Sequence, residues 1–100
     1  MLTFILKKEW FEKIESGEKT VEYREATPYW NKRVASFIGK IREAEGSDLV
    51  IFRLGYTKKF LKARITKIEK KDGKDTDLKC DNLVFALHFK LLNGENNEKL

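Results

Sequence analysis

The sequence predicts an α+β fold, a mixed β-barrel of about five to six short strands with two main helices. Three observations lead there. Strand-like and helix-like patterns follow one another in the order β-α-β-α-β-β-β. The strands are short and bounded by turn residues. One hundred residues fit a single domain, which at this size buries roughly 60 to 70 % of the surface its unfolded chain exposes.

Leu2 to Leu6 is a short apolar run and reads as the first strand. Trp10, Phe11 and Ile14 then recur at helical spacing among Glu9, Glu12, Lys13 and Glu15, so an apolar stripe faces a core while the charges stay in water. Gly17 ends that helix, because a residue without Cβ takes the left-handed conformation favoured at helix C-termini. A strand follows over Lys19 to Arg24. Side chains alternate along it, placing Thr20, Glu22 and Arg24 on one face and Lys19, Val21 and Tyr23 on the other. Glu22 and Arg24 can therefore pair, and the long stem of Lys19 could carry its ammonium round to them.

Thr27-Pro28 is a helix start, with Thr27 as N-cap and Pro28 at the first position, where its missing N–H costs nothing. Trp30, Val34, Phe37, Ile38 and Ile41 mark the inward face, and Gly39 is a place where this helix is expected to break or end. Gly46-Ser47-Asp48 is a turn. Leu49 to Leu54 and Phe60 to Lys70 then form a hairpin through Gly55-Tyr56-Thr57-Lys58-Lys59. Leu61, Ala63 and Ile65 face one way, and Ile68 breaks the alternation, which puts a bulge or strand end near Thr66. Lys70 to Asn82 is polar, carries an Asp72-Gly73 turn, and is the longest loop, of a length that could cover a site. Leu83 to Leu92 alternates most clearly of all. The domain is expected over 1–92, with a flexible polar tail over 93–100.

Composition narrows the function classes. Hydrophobic residues make up 41 % of the chain and charged residues 37 %, so a core forms without staples. The single Cys80 forms no internal disulfide and no metal cluster with the lone His88, which favours a reducing compartment. Asp75, Asp77 and Asp81 share a loop but lack the glycine and terminal glutamate of a calcium loop. No metal or cofactor is expected. The apolar start is too short for a signal peptide or a membrane span, so a cytoplasmic, monomeric protein that does not enter the membrane is the expectation. The formal charge of +5, from 21 Lys and Arg against 16 Asp and Glu, favours an anionic partner such as a nucleic acid or nucleotide over a neutral one.

The candidate site lies at the junction of the first helix and the second strand, where Gly17, Lys19, Glu22 and Arg24 stand at fixed spacing. A helix cap explains Gly17 by itself, and an ion pair that orders a strand explains Glu22 and Arg24 equally well. A second group interleaves Tyr23, Tyr29, Trp30 and Tyr56 with Arg24, Arg33 and Arg53, a mixture that stacks bases and holds phosphates. Trp30 is in register with Val34 and Phe37 and reads as core, whereas Tyr56, at a glycine-containing hairpin tip, reads as a ligand contact. His88 has no acidic partner at readable spacing and is assigned a structural or surface role.

Gly17-x-Lys19-x-x-Glu22-x-Arg24 resembles the signature of the ASCH domain family, small β-barrels of the PUA-like group. Tyr23-Arg24-Glu25-x-x-Pro28-Tyr29-Trp30-x-x-Arg33 and Phe52-Arg53-x-Gly55-Tyr56 extend the likeness to a branch found in bacterial and phage genomes, and the matching segments span Leu2 to about Leu92. The resemblance implies a cleft beside the barrel that binds RNA or a nucleotide-like ligand, single-stranded or modified, through Gly17, Lys19, Glu22, Arg24, Tyr29, Arg33, Arg53 and Tyr56. It leaves open a small hydrolase acting on RNA or a modified nucleoside, with Lys19 and Glu22 catalytic, and a protein-interaction module. Some ASCH-like proteins resemble amidohydrolases of acetylated cytidine that use a lysine at the position of Lys19 and a threonine where this chain has Glu22. That replacement removes a hydroxyl nucleophile, and Thr20, one pleat earlier, is a poor substitute.

Overall fold

In the computed structural model, which describes residues 2–44 and 46–92, the chain runs β1 (Leu2–Leu6), α1 (Lys8–Glu15), β2 (Val21–Glu25), α2 (Pro28–Glu43), β3 (Leu49–Leu54), β4 (Phe60–Asp72), a 3-10 turn (Gly73–Asp75) and β5 (Leu83–Leu91). This is the order that the sequence patterns predict. The tail expected over 93–100 lies outside the described residues.

The strands form one five-stranded sheet in the order β1-β3-β4-β5-β2. β1 runs parallel to β3, and every other pairing is antiparallel. The sheet curls into a half-barrel and stays open between its edges, β1 and β2. On its inner face Phe52 of β3 and Phe89 of β5 meet at 4.6 Å between ring centroids, although β4 separates the two strands. Two strand spacings would hold their backbones about 9.5 Å apart in a flat sheet, so a concave face helps the rings converge.

Burial follows the alternation. β1 buries Leu2, Phe4 and Leu6, β4 buries Leu61, Ala63 and Ile65, and β5 buries Phe85, Leu87 and Phe89, all on the inner face. Phe11 and Ile14 of α1 and Val34 and Phe37 of α2 close this core from the other side. Phe4, Phe11 and Phe52 have no exposed surface, and truncating such a ring to Ala costs about 3–5 kcal/mol, far more than the local propensities that begin and end each helix. β5 is buried on both faces at its centre, because Val84 and Ala86 on the opposite face are also enclosed.

Three boundaries differ from the sequence reading. α2 does not break at Gly39 but continues to Glu43, since Ile38 and Ile41 pack on the core and outweigh the roughly 1 kcal/mol cost of a helical glycine. β2 begins at Val21 rather than Lys19, because the backbone N–H of Lys19 is drawn back to the carbonyl of Lys13 at the end of α1, at 2.9 Å. β4 runs on to Asp72 along β5. The expected irregularity near Thr66 is present as a register shift between Ile65 and Lys67. Thr27 caps α2 as expected, its Oγ1 accepting from the backbone N–H of Trp30 at 3.3 Å. No described helix is long and apolar enough to cross a membrane.

Candidate functional site

The opening between the two sheet edges forms a cleft of about 330 Å³. β2 pairs with β5 so that Glu22 and Arg24 share the inner face with Leu87 and Phe85, and the two polar side chains stand where the core reaches the open edge. Arg24 spans that edge. Its guanidinium lies 5.2 Å from the Phe4 ring centroid and 5.1 Å from that of Trp30, and its Nη2 donates to the carbonyl of Ile5 on β1 at 3.4 Å. The same guanidinium grips one oxygen of Glu22, with Nε at 2.8 Å and Nη2 at 2.7 Å from Oε2.

Glu22 is 5 % exposed. Burial pushes its carboxyl above the ordinary value, against the opposing pull of Arg24 and then Lys19. A buried carboxylate is costly enough that two nearby cations do not fully offset its desolvation. Its second oxygen, Oε1, has Lys19 Nζ at 3.9 Å, beyond hydrogen-bond reach, and accepts no hydrogen bond among the described residues. Glu22 lines the cleft, and this oxygen is able to accept a further hydrogen bond.

Lys19 arrives here because of the turn before it. Gly17, at φ +88°, reverses the chain at the end of α1 in a conformation that costs other residues free energy. From the turn the Lys19 ammonium reaches Oδ2 of Asp77 at 2.7 Å and lies 5.0 Å from the Tyr23 ring centroid and 5.3 Å from that of Trp10. The stem does carry the charge to the Glu22 side, as the sequence suggested. Ile5, Leu6 and Leu78 supply apolar wall. The arrangement offers a fixed cation, a hydrogen-bond acceptor and two aromatic rings around a cleft of about 330 Å³.

Asp77 and Trp10 are cleft residues that sequence reasoning did not place there. Trp10 packs against the core as its helical stripe predicts, but it is only partly buried and also lines the cleft. Asp77 is 58 residues from Lys19, and the only hint was the length of its loop. That loop is anchored on both sides. Thr76 is buried and donates its hydroxyl to the Gly73 carbonyl at 2.8 Å, the Gly73 N–H donates to Asn82 at 2.9 Å, and the Asn82 amide donates to Glu25 beside the cleft.

The other predicted residues lie elsewhere. Arg53, on β3, donates to the carbonyl of Thr57 at 3.2 Å within the hairpin turn, and Tyr56 at the tip is 92 % exposed. Neither is among the residues lining the cleft. The hairpin nevertheless abuts its rim, since the Gly55 N–H donates to Leu6 at 2.9 Å. Tyr29 and Arg33 stack on one another at 4.4 Å and line a separate groove along α2. His88 has an acidic partner after all. Register across the β4–β5 pair puts Glu69 at 2.6 Å from its Nε2 on the outer face, and this hydrogen bond holds the Glu69 carboxyl below its ordinary value. Among the described residues no cluster of His, Cys, Asp and Glu is placed to hold a metal ion.

Comparison of the sequence with protein-family models and with curated proteins finds no match. The fold is similar to that of a hypothetical protein, PH0355, known from its crystal structure, with a TM-score of 0.52 at 16 % identity over 91 % of this chain and 98 % of that one. Likeness at this identity shows the fold alone.

Proposed function

We propose that this chain is an ASCH-type, PUA-like domain that binds RNA, or a nucleotide-like piece of it, in the cleft between β1 and β2. The carrying observation is Oε1 of Glu22, an acceptor in a nearly buried carboxylate whose other oxygen is saturated by Arg24. An exocyclic amine or ring N–H of a base donates to Oε1, Trp10 and Tyr23 supply stacking surface, and Lys19 supplies positive charge for a phosphate or carbonyl. The motif residues Gly17, Lys19, Glu22 and Arg24 support the family reading, because the fold gives each a distinct task in one place. Equilibrium titration of the protein with nucleosides and short single-stranded RNAs tests it. Binding is expected, with a log-log salt dependence of roughly −2 to −4, about three to six phosphates at about 0.7 each. No binding of any nucleoside or RNA at low salt would remove this reading.

A second reading, a small hydrolase of RNA or of a modified nucleoside, is favoured by one feature. A buried carboxyl with its pKa raised, beside a lysine in a cleft, is the kind of group that serves as general acid or base. Against it, Thr20 lies outside β2 and does not line the cleft, so among the described residues no Ser or Thr hydroxyl accompanies Glu22 there. Incubation with acetylated cytidine, followed by chromatography for cytidine, is expected to show no turnover. Turnover abolished by Lys19→Ala would establish the hydrolase instead.

A further inference from the structure

A second concavity of about 660 Å³ runs along α2. Tyr29, Lys32, Arg33, Ser36 and Lys40 fall on one stripe of that helix, at the spacing that lines up side chains three and four apart, and all five line the groove. Leu2, Phe37 and Leu49 contribute its apolar floor, and among the described residues no acidic one lines it. Among the described residues Lys32, Arg33 and Lys40 enter no ion pair. Lys32 and Arg33 stand side by side and Lys40 about two turns further along the helix, so the stripe sets cations along the groove with no acidic residue among its described lining, and it is complementary to an anion from outside.

Side-chain contacts link this groove to the cleft. From Arg24 in the cleft the guanidinium stacks on Trp30 at 5.1 Å, Trp30 meets Tyr29 edge to face at 5.3 Å, and Tyr29 carries Arg33 at 4.4 Å. Cationic and aromatic side chains thus form a chain of contacts from Glu22, through the partly buried Trp30, to the basic groove. Tyr29 is 57 % exposed and presents aromatic surface to the solvent beside the groove. A repeating anion with planar groups at regular spacing matches this surface better than an acidic peptide, which offers charge without rings.

We propose that the α2 stripe of Lys32, Arg33 and Lys40 is a binding site for the phosphodiester backbone of a single-stranded RNA, which passes over Tyr29 and extends the strand whose base occupies the cleft. The last clause rests on the nucleotide reading of the cleft, whereas the stripe is a separate site with its own residues. Its cations hold consecutive phosphates, and Tyr29 stacks the base between them and the cleft.

The test compares the unchanged protein with the Lys32→Ala/Arg33→Ala/Lys40→Ala variant. All three side chains are exposed on a helix and Ala is the strongest helix former, so the variant folds, as a circular dichroism melt verifies. Two probes are used, a fluorescent RNA hexamer followed by anisotropy and cytidine, adenosine and guanosine followed by NMR. The variant is expected to bind the hexamer roughly tenfold more weakly at low salt, with a salt slope shallower by about 2, three phosphates at about 0.7 each. Its response to nucleosides is expected to be unchanged. Hexamer affinity and slope that do not move overturn the proposal. Stripe-dependent binding of the hexamer by a protein whose cleft does not respond to nucleosides supports the stripe and removes the cleft reading. Poly-glutamate that displaces the hexamer at equal charge concentration, and binds with the same dependence on the stripe, overturns the assignment to RNA in favour of an acidic protein partner.

Discussion

Arg24 places Nε and Nη2 at 2.8 and 2.7 Å from a single oxygen of Glu22 while the same guanidinium reaches the carbonyl of Ile5. One side chain thereby neutralises a buried carboxylate and ties together the two open edges of the sheet. Removing one partner of such a pair leaves the other charge buried and uncompensated. Arg24→Ala is expected to lower stability by about 3 kcal/mol, the lower end of that range because Arg24 is partly exposed. Denaturant unfolding measures it, and the Glu22→Gln/Arg24→Ala double variant should recover part of the loss. A cost near zero would show that the pair does not close the edge.

The raised pKa of Glu22 gives a pH dependence whose sign is fixed. The folded protein holds this proton to higher pH than the unfolded chain does, so the group favours folding most below its ordinary value of 4.5. That contribution is lost as pH rises through the folded value. The stability of the unchanged protein relative to Glu22→Gln is therefore expected to fall as pH rises from 4.5 and to level off above the folded pKa. Affinity for a base that donates to Oε1 should rise over the same window, since only the carboxylate accepts fully. Parallel denaturation series in the two proteins check the first statement, and nucleoside titrations against pH check the second.

Gly73 has no room for a methyl group. A Cβ there would stand 2.3 Å from the Cys80 Sγ, 2.6 Å from the Asn82 carbonyl oxygen and 2.8 Å from that of Cys80, and two of these three atoms are backbone. Gly73→Ala is expected to cost roughly 1–3 kcal/mol and to shift the loop that presents Asp77 to Lys19. Thermal melts report the first effect, and NMR shifts at Lys19 and Tyr23 report the second.

Much of this was legible in the chain because it is local. The alternation of β5, the cap formed by Thr27 and Pro28, the turn at Gly17 and the bulge near Thr66 each depend on a few neighbouring residues. The pairing of Glu22 with Arg24 was legible for the same reason, since strand geometry sets two residues apart on one face. The closing of the site was not. Asp77 meets Lys19, and Glu69 meets His88, only through strand register and loop path, for which no local spacing exists. Trp10 satisfies a helical stripe whether its edge meets the core or a cleft. Arg53 and Tyr56 have the composition of a ligand-binding pair, but the hairpin turn holds the first and leaves the second in water at the rim.

The aromatic residues should therefore separate by position. Trp10→Ala and Tyr23→Leu are expected to weaken nucleoside binding by about 1–3 kcal/mol each, the size of a base-aromatic stack. Tyr56→Ala should leave both nucleoside affinity and, within about 0.5 kcal/mol, stability unchanged, as a solvated residue outside the cleft lining would. Calorimetric titration of the three variants decides between them.

The most direct measurement is an NMR titration of the isotope-labelled protein with single nucleosides, read at the backbone amides and at the side-chain carboxyl carbon of Glu22. A base bound in the cleft should shift the Glu22 carboxyl resonance and the amides of Trp10, Lys19 and Tyr23 together, with one affinity, and Glu22→Gln should abolish the response while the fold persists. Shifts confined to other parts of the sheet, or an unchanged response in Glu22→Gln, would contradict a ligand site built on that carboxylate.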